Sequence, residues 1–155
     1  MFKTRRFLLI SIFTAVILAL SGCAITSLQY QQRSESNHEA LAVAENMRGV
    51  PYRYGGADPR GFDCSGLVYY AYRKAGIHSP RSTSDQYRFS TRVPLTELRP
   101  GDLVFFAISR NKPSHVGIYA GQGKFIHAPS SGKAVSYAFL DDYYWKEKLI
   151  GTGRL

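Results

Sequence analysis

Gly61-Phe62-Asp63-Cys64-Ser65-Gly66-Leu67-Val68 places a lone thiol at the start of a helix. Asp63 is a natural N-cap, the Gly61-Phe62 approach reads as loop, and Leu67, Val68 and Ala71 recur at helical spacing. A sulfur in the first helical turn sits at the positive end of the helix dipole, which favours the nucleophilic thiolate and predicts a lowered pKa. The competing reading is a small cysteine buried as a core hydrophobe, since free cysteines are among the most buried residues. Two features elsewhere in the chain favour reactivity.

The first is cysteine arithmetic. The 155 residues contain two cysteines, Cys23 and Cys64. Residues 1–22 open with Lys3, Arg5 and Arg6, continue with an apolar run from Phe7 to Leu20, and end on Ser21-Gly22 before Cys23. Charge, length and small residues at the end make this a secretory signal whose apolar core is short for a membrane span. Leu20-Ser21-Gly22-Cys23 resembles the bacterial lipobox, which implies cleavage before Cys23 and lipidation of its sulfur. Residues 23–37, rich in Gln and Ser, read as the lipidated Cys and a flexible tether; residues 38–155 form one domain. Cys64 is then an unpaired thiol in an exported protein, and such a thiol needs a reason.

The second feature is a pair of histidines. Ser114-His115-Val116-Gly117-Ile118-Tyr119 and Lys124-Phe125-Ile126-His127-Ala128 read as strands, with a hairpin turn in Ala120-Gly121-Gln122-Gly123. A four-residue loop closed by Tyr119 and Lys124 puts His115 and His127 on opposite faces. A three-residue loop, with Tyr119 opposite Gly123, sets His115 directly across from His127 and their Cβ atoms ~5 Å apart. A cysteine with a histidine base, and a third polar group orienting that base, is the general layout for nucleophilic acyl transfer.

Helices are predicted over 38–48, 64–75 and 83–88, and strands over 102–107, 115–120, 124–129, 134–138 and 149–154. Helices first and an antiparallel meander afterwards define an α+β domain, with N-terminal helices packed on a mainly antiparallel sheet of about five strands. The formal charge is +9; removing Lys3, Arg5 and Arg6 leaves 17 basic and 11 acidic residues, a balance of +6. A basic exported protein suits anionic envelope polymers or lipid head groups. Export and the absence of a basic run argue against nucleic acid. His38 and His78 read as surface residues, and Asp141-Asp142 as the start of a short helix around Tyr143-Tyr144-Trp145-Lys146.

Pro51-Tyr52-Arg53-Tyr54-Gly55-Gly56, Asp63-Cys64-Ser65-Gly66, Pro80-Arg81-Ser82-Thr83, Arg99-Pro100-Gly101-Asp102-Leu103-Val104-Phe105-Phe106, His115-Val116-Gly117-Ile118-Tyr119 and Phe125-Ile126-His127-Ala128 follow one another in order. Together they resemble the NlpC-type, papain-like cell-wall cysteine peptidases over about residues 38–155, so the fold implied is papain-like. The resemblance implies Cys64 as nucleophile, His115 as general base, His127 as the residue orienting His115, and Tyr52 as a contributor to the oxyanion hole. Asp63, Ser65, Arg81 and Ser82 are the candidate substrate-binding residues. Local alternatives are helix capping by Asp63, and by Ser82 in the capping-box-like Ser82-Thr83-Ser84-Asp85.

The function implied is hydrolysis of amide bonds in peptidoglycan stem peptides or their crosslinks, by a monomer without cofactor or metal. Alternatives of other classes are a catalytically idle envelope lipoprotein that binds wall peptides or a protein partner, a zinc site on Cys64, His115 and His127, and acyl transfer or lipid hydrolysis. The family includes enzymes that cut between D-glutamate and the diamino acid and others that cut the crosslink. Lipid on Cys23 tethers the protein to a membrane of the bacterial envelope. Ala24 rather than Asp follows Cys23, so in a host with two membranes the expected site is the outer membrane, facing the periplasm.

Overall fold

In the computed structural model, residues 31–32, 35–108 and 112–155 are described. The chain divides into a unit of Met1–Glu35 and a unit of Ser36–Leu155, and the fold below is that of the second. The expected signal peptide and Cys23 lie outside the described residues.

Residues 35–45 form helix α1, a few residues earlier than the apolar spacing predicts. Asn37, Ala40, Leu41 and Ala44 supply its buried stripe at helical intervals. Strands β1 (Ala57–Asp58) and β2 (Gly61–Phe62) form a two-stranded hairpin that leads into helix α2 (Cys64–Lys74). Helix α3 (Thr83–Phe89) follows, and then strand β3 (Thr91–Arg92). Strands β4 (Leu103–Phe106), β5 (His115–Gly121), β6 (Lys124–His127) and β7 (Ser136–Phe139) come next. The short helix α4 (Tyr143–Lys146) and strand β8 (Leu149–Arg154) end the domain.

The main sheet has six strands in the order β3-β8-β4-β5-β6-β7, every pair antiparallel. The α+β class holds, with one strand more than expected. The addition, β3, is two exposed residues that pair with the end of β8, too short for alternation to reveal.

Both faces of the sheet are covered. Leu103, Phe105, Val116, Ile118, Ile126 and Ala128 pack with Leu67, Val68 and Ala71 of α2 and with α1 in the larger core. Val104, Phe106 and Phe125 point the other way, into a smaller core closed by Leu98, Tyr119, Leu140, Trp145 and Leu149. This is why β4 reads as the unbroken apolar run Leu-Val-Phe-Phe: all four side chains are buried. At the start of β4, the buried Asp102 carboxylate accepts from Arg154 Nε at 2.7 Å, Arg154 Nη2 at 2.6 Å and the Arg99 N–H at 2.8 Å. That pair ties the first central strand to the last.

The β5–β6 hairpin adopts neither register considered above. Gly121 pairs with Lys124 across a two-residue turn of Gln122 and Gly123, at φ 53° and 73°. Two positive φ values belong to the mirror-image turn that suits the twist of a hairpin. A bulge between Tyr119 and Gly121 then shifts the ladder, so Tyr119 faces Phe125 and Ile118 faces Ile126. The two histidines are therefore diagonal neighbours on one face instead of directly opposed.

Candidate active site

Cys64 is the first residue of α2. Asp63 caps the helix, its Oδ1 accepting the Gly66 N–H at 2.6 Å. Gly66 lies so close to the Gly56 carbonyl oxygen that a Cβ would collide with it, which seats the loop before β1 on the helix start. The sulfur faces Thr83 Oγ1 at 3.7 Å and takes backbone N–H hydrogen bonds from Val116 and Ser65. Val116 is the residue after His115, so the helix start meets β5 beside the histidine.

His115 and His127 are both 3% exposed. His115 Nε2 lies 2.8 Å from His127 Nδ1, and the rings stand at 89° with centroids 5.0 Å apart. When His115 Nε2–H donates this bond to His127 Nδ1, the His115 Nδ1 is left to accept a proton. Both rings lie on the smaller-core side of the sheet. Phe106, paired with His115 in the ladder, and Phe125, 5.0 Å from His127, flank them on the same face.

Burial dominates the electrostatics. It pushes His115 down to about 4 and His127 to about 3, with His115 and Lys133 adding to the effect on His127. Burial also pushes the Cys64 thiol up, and neighbouring Asp63 acts in the same direction. The Thr83 hydroxyl and the two N–H groups oppose this and are outweighed. The lowered thiol pKa expected from the helix start is thus corrected: at neutral pH the site rests as thiol and neutral imidazoles. Tyr52 is half-buried near the sulfur, its phenol pushed up first by burial and then by Cys64 and Asp63. Its N–H donates to the Lys133 carbonyl at 2.8 Å, which holds it against the segment after β6.

Asp63, Ser65 and Arg81 form one network beside the thiol. Arg81 Nη2 reaches Asp63 Oδ2 at 2.7 Å, and Nη1 reaches Asp63 Oδ1 and the Ser65 hydroxyl, each at 3.0 Å. Arg81 Nη2 also donates to the Gly56 carbonyl at 3.2 Å. Ser82 stands apart as the N-cap of α3, accepting the Asp85 N–H at 3.2 Å and donating to its carboxylate at 2.6 Å. Buried Gln86 on the same helix donates to the Ser65 and Pro80 carbonyls at 3.0 and 2.8 Å, pinning the Arg81 loop to the start of α2. His38 and His78 are exposed, the latter edge-on to Phe89. Among the described residues, no three His, Cys, Asp or Glu side chains converge as a metal site.

Three residues at the site carry no signal strong enough to find them from sequence. Thr83 lies inside a motif but next to a better-looking cap. Gln86 is one polar residue in a short helix. Trp145 stacks on His115 at 28° and 5.3 Å, and stands edge-on to His127 at 5.0 Å.

A thiol at the start of a central helix, set against an antiparallel sheet that carries its histidines, is the papain-like arrangement. The chain belongs to the NlpC/P60 family, whose profile matches residues 49–154. It is 45% identical over 112 residues to the murein DD-endopeptidase MepH of Escherichia coli, a match covering 69% of this chain and 41% of MepH. To the gamma-DL-glutamyl hydrolase of Bacillus subtilis it is 34% identical over 155 residues, 97% of this chain and 37% of that protein. The crystal structure of a Staphylococcus aureus NLP/P60 family protein similar to lipoprotein superposes with a TM-score of 0.70 at 39% identity, covering 77% of this chain and 41% of that one. The chain thus spans less than half the length of these relatives.

Proposed function

We propose that the domain is a cysteine hydrolase of peptidoglycan amide bonds, in stem peptides or their crosslinks. The observation that carries the proposal is the sulfur of Cys64 held between the α2 start and the Val116 amide, next to a histidine already paired through Nε2. Family membership, and relatives named as murein and glutamyl hydrolases, supply the substrate class.

The neutral pair sets the order of events. His115 accepts the Cys64 proton as the sulfur attacks the amide carbon, so the thiolate forms only where it is used. The carbonyl oxygen takes up the negative charge near the first-turn N–H groups of α2, with the Tyr52 hydroxyl as a second donor. Collapse breaks the C–N bond, and His115 returns its proton to the departing amine. Water, deprotonated by His115, then cleaves the thioester and restores the thiol. His127 holds the His115 ring through Nε2 during both transfers. Asp63, Ser65 and Arg81 form the polar wall that receives the peptide, and Ser82 holds the loop that carries Arg81.

Digestion of purified sacculi, with the muropeptides identified by mass, tests this reading. Wild type is expected to release cleaved peptides and Cys64→Ala none. Loss of crosslinked dimers identifies the crosslink as the target, and stems shortened after D-glutamate identify the stem bond. Intact sacculi after treatment with the folded wild-type protein would refute the proposal.

The site works near a membrane in this reading. Cys23 carries the lipid, and the protein acts as a monomer facing the periplasm from the outer membrane. Cys23→Ala is expected to abolish fatty-acid labelling and normal processing. A substituted protein still acylated and membrane-bound would refute the anchor.

A further inference from the structure

Alternation along β5 and β6 turns His115 and His127 away from α1 and α2, toward the smaller core. From the far side they are met by Trp145, carried on α4. That helix is a single turn, capped by the Asp142 carboxylate, which accepts the Tyr144 N–H at 2.9 Å. The Trp145 N–H donates to the Asp142 carbonyl at 3.0 Å, and the Lys148 N–H to the Trp145 carbonyl at 3.1 Å, so the turn is fixed at both ends.

One indole meets four rings of the sheet. It stacks on His115, stands at 89° to His127, and packs on Phe106 at 4.8 Å and Phe125 at 5.3 Å. The two phenylalanines lie beside the histidines on the same sheet face, and the indole packs across all four. Trp145 thereby touches both ends of the 2.8 Å bond between the imidazoles.

We propose that Trp145 is a positioning residue of the site: its indole holds the two imidazoles in one mutual geometry and keeps water off the hydrogen bond between them. The inference rests on the histidines serving the reaction proposed above, and it names the part of that site the motifs omit. The depressed histidine pKa values agree with it, since their first cause is burial and Trp145 is part of what buries the rings. Besides the two rings themselves, the titratable group acting on the pair is Lys133 from the β6–β7 connection, which lowers His127; β4 and β6 contribute the uncharged Phe106 and Phe125.

The deciding experiment is an NMR pH titration of the histidine rings in the full chain, which needs no turnover. Trp145→Leu keeps apolar bulk without the flat ring and is expected to raise the His115 midpoint from about 4 toward its ordinary 6.5. Trp145→Phe, with a smaller ring, should shift it part of the way. On sacculi, Trp145→Leu should lower kcat about 10²-fold at nearly unchanged KM, the size expected for a misplaced reacting group. Thermal melting distinguishes this from loss of the fold. If Trp145→Leu does not fold, the shift in Trp145→Phe decides. Native histidine midpoints in a folded Trp145 variant would overturn the proposal, whatever the activity. Inactivity of the wild-type protein on sacculi would refute the enzymatic reading instead and leave the titration to judge Trp145.

Discussion

Phe125 lies over Gly117 so closely that a Cβ on the glycine would come within 2.5 Å of the ring. The same ring supports His127 and Trp145, each with centroids about 5 Å away (5.0 and 5.3 Å). A single missing methyl group thus sets where this ring lies beside the histidine pair. Gly117→Ala is expected to destabilise the domain by about 1–3 kcal/mol, the usual cost of overpacking, and to lower kcat as the ring is displaced. Denaturant unfolding together with sacculus digestion checks this; native stability and activity would show that the ring yields freely.

The thiol offers a second check. With burial pushing Cys64 up, the rate of alkylation against pH should inflect above the ~8.5 of a free cysteine. Thr83→Val removes the hydroxyl that favours the thiolate, so the inflection should move higher still. An inflection below the free-cysteine value would mean that helix start and histidine prevail over burial after all.

Within the proposed triad the substitutions should be unequal. Cys64→Ala and His115→Ala each remove a reacting group, and losses of roughly 10⁶ in kcat are the precedent for such groups. His127→Ala removes an orienting group and should cost less, on the order of 10⁴, with His127→Asn or His127→Gln retaining more than alanine. Because the members act as a unit, His115→Ala/His127→Ala should be no worse than His115→Ala. Full activity in His127→Ala would separate the observed ring contact from catalysis.

Acid should unfold this domain partly through the same pair. The folded values, about 4 and 3, lie below the ordinary 6.5, so on acidification the unfolded chain binds protons first. The contribution to stability is complete above pH 6.5 and is lost as pH falls through the folded values. The slope is up to about 1.4 kcal/mol per pH unit for each histidine. Denaturant midpoints measured from pH 7.5 to 4 should fall more steeply in wild type than in His115→Leu/His127→Leu. Equal slopes would place the acid sensitivity elsewhere.

Arg81 makes four hydrogen bonds with two nitrogens, three of them to Asp63 and Ser65. An ammonium cannot match that fork. Arg81→Lys should therefore resemble Arg81→Ala, each losing on the order of 1 kcal/mol once the partial exposure of the arginine is discounted. Retention of wild-type stability by lysine would mean that charge alone suffices there.

What could be read from the sequence was local. Asp63 caps three residues before Gly66, and Leu67, Val68 and Ala71 recur at helical spacing, so the α2 start and its thiol are visible in one stretch of chain. The strands bearing His115 and His127 were equally plain. Their register was not, because it depends on where a single bulge falls. The short helix of Trp145 is legible but its partner is not, since nothing in Tyr-Tyr-Trp-Lys signals a sheet face folded against it. The direction of the thiol shift is not legible in sequence, because a dipole can be read from a helix start, whereas burial depends on β5 and α3 closing around the sulfur.

The bulge after Tyr119 gives the hairpin an arithmetic of odd and even. The Gln122-Gly123 turn alone would continue the pairing of Gly121 with Lys124 and put the two histidines on opposite faces; one extra residue restores them to the same side. An insertion or deletion of one residue between Tyr119 and Lys124 would therefore separate the imidazoles by the thickness of the sheet while leaving every motif intact. A change of two would leave them on the same side. Length variation in this turn is constrained by parity before size, and a chain of this family could lose its chemistry here with Cys64, His115 and His127 all in place.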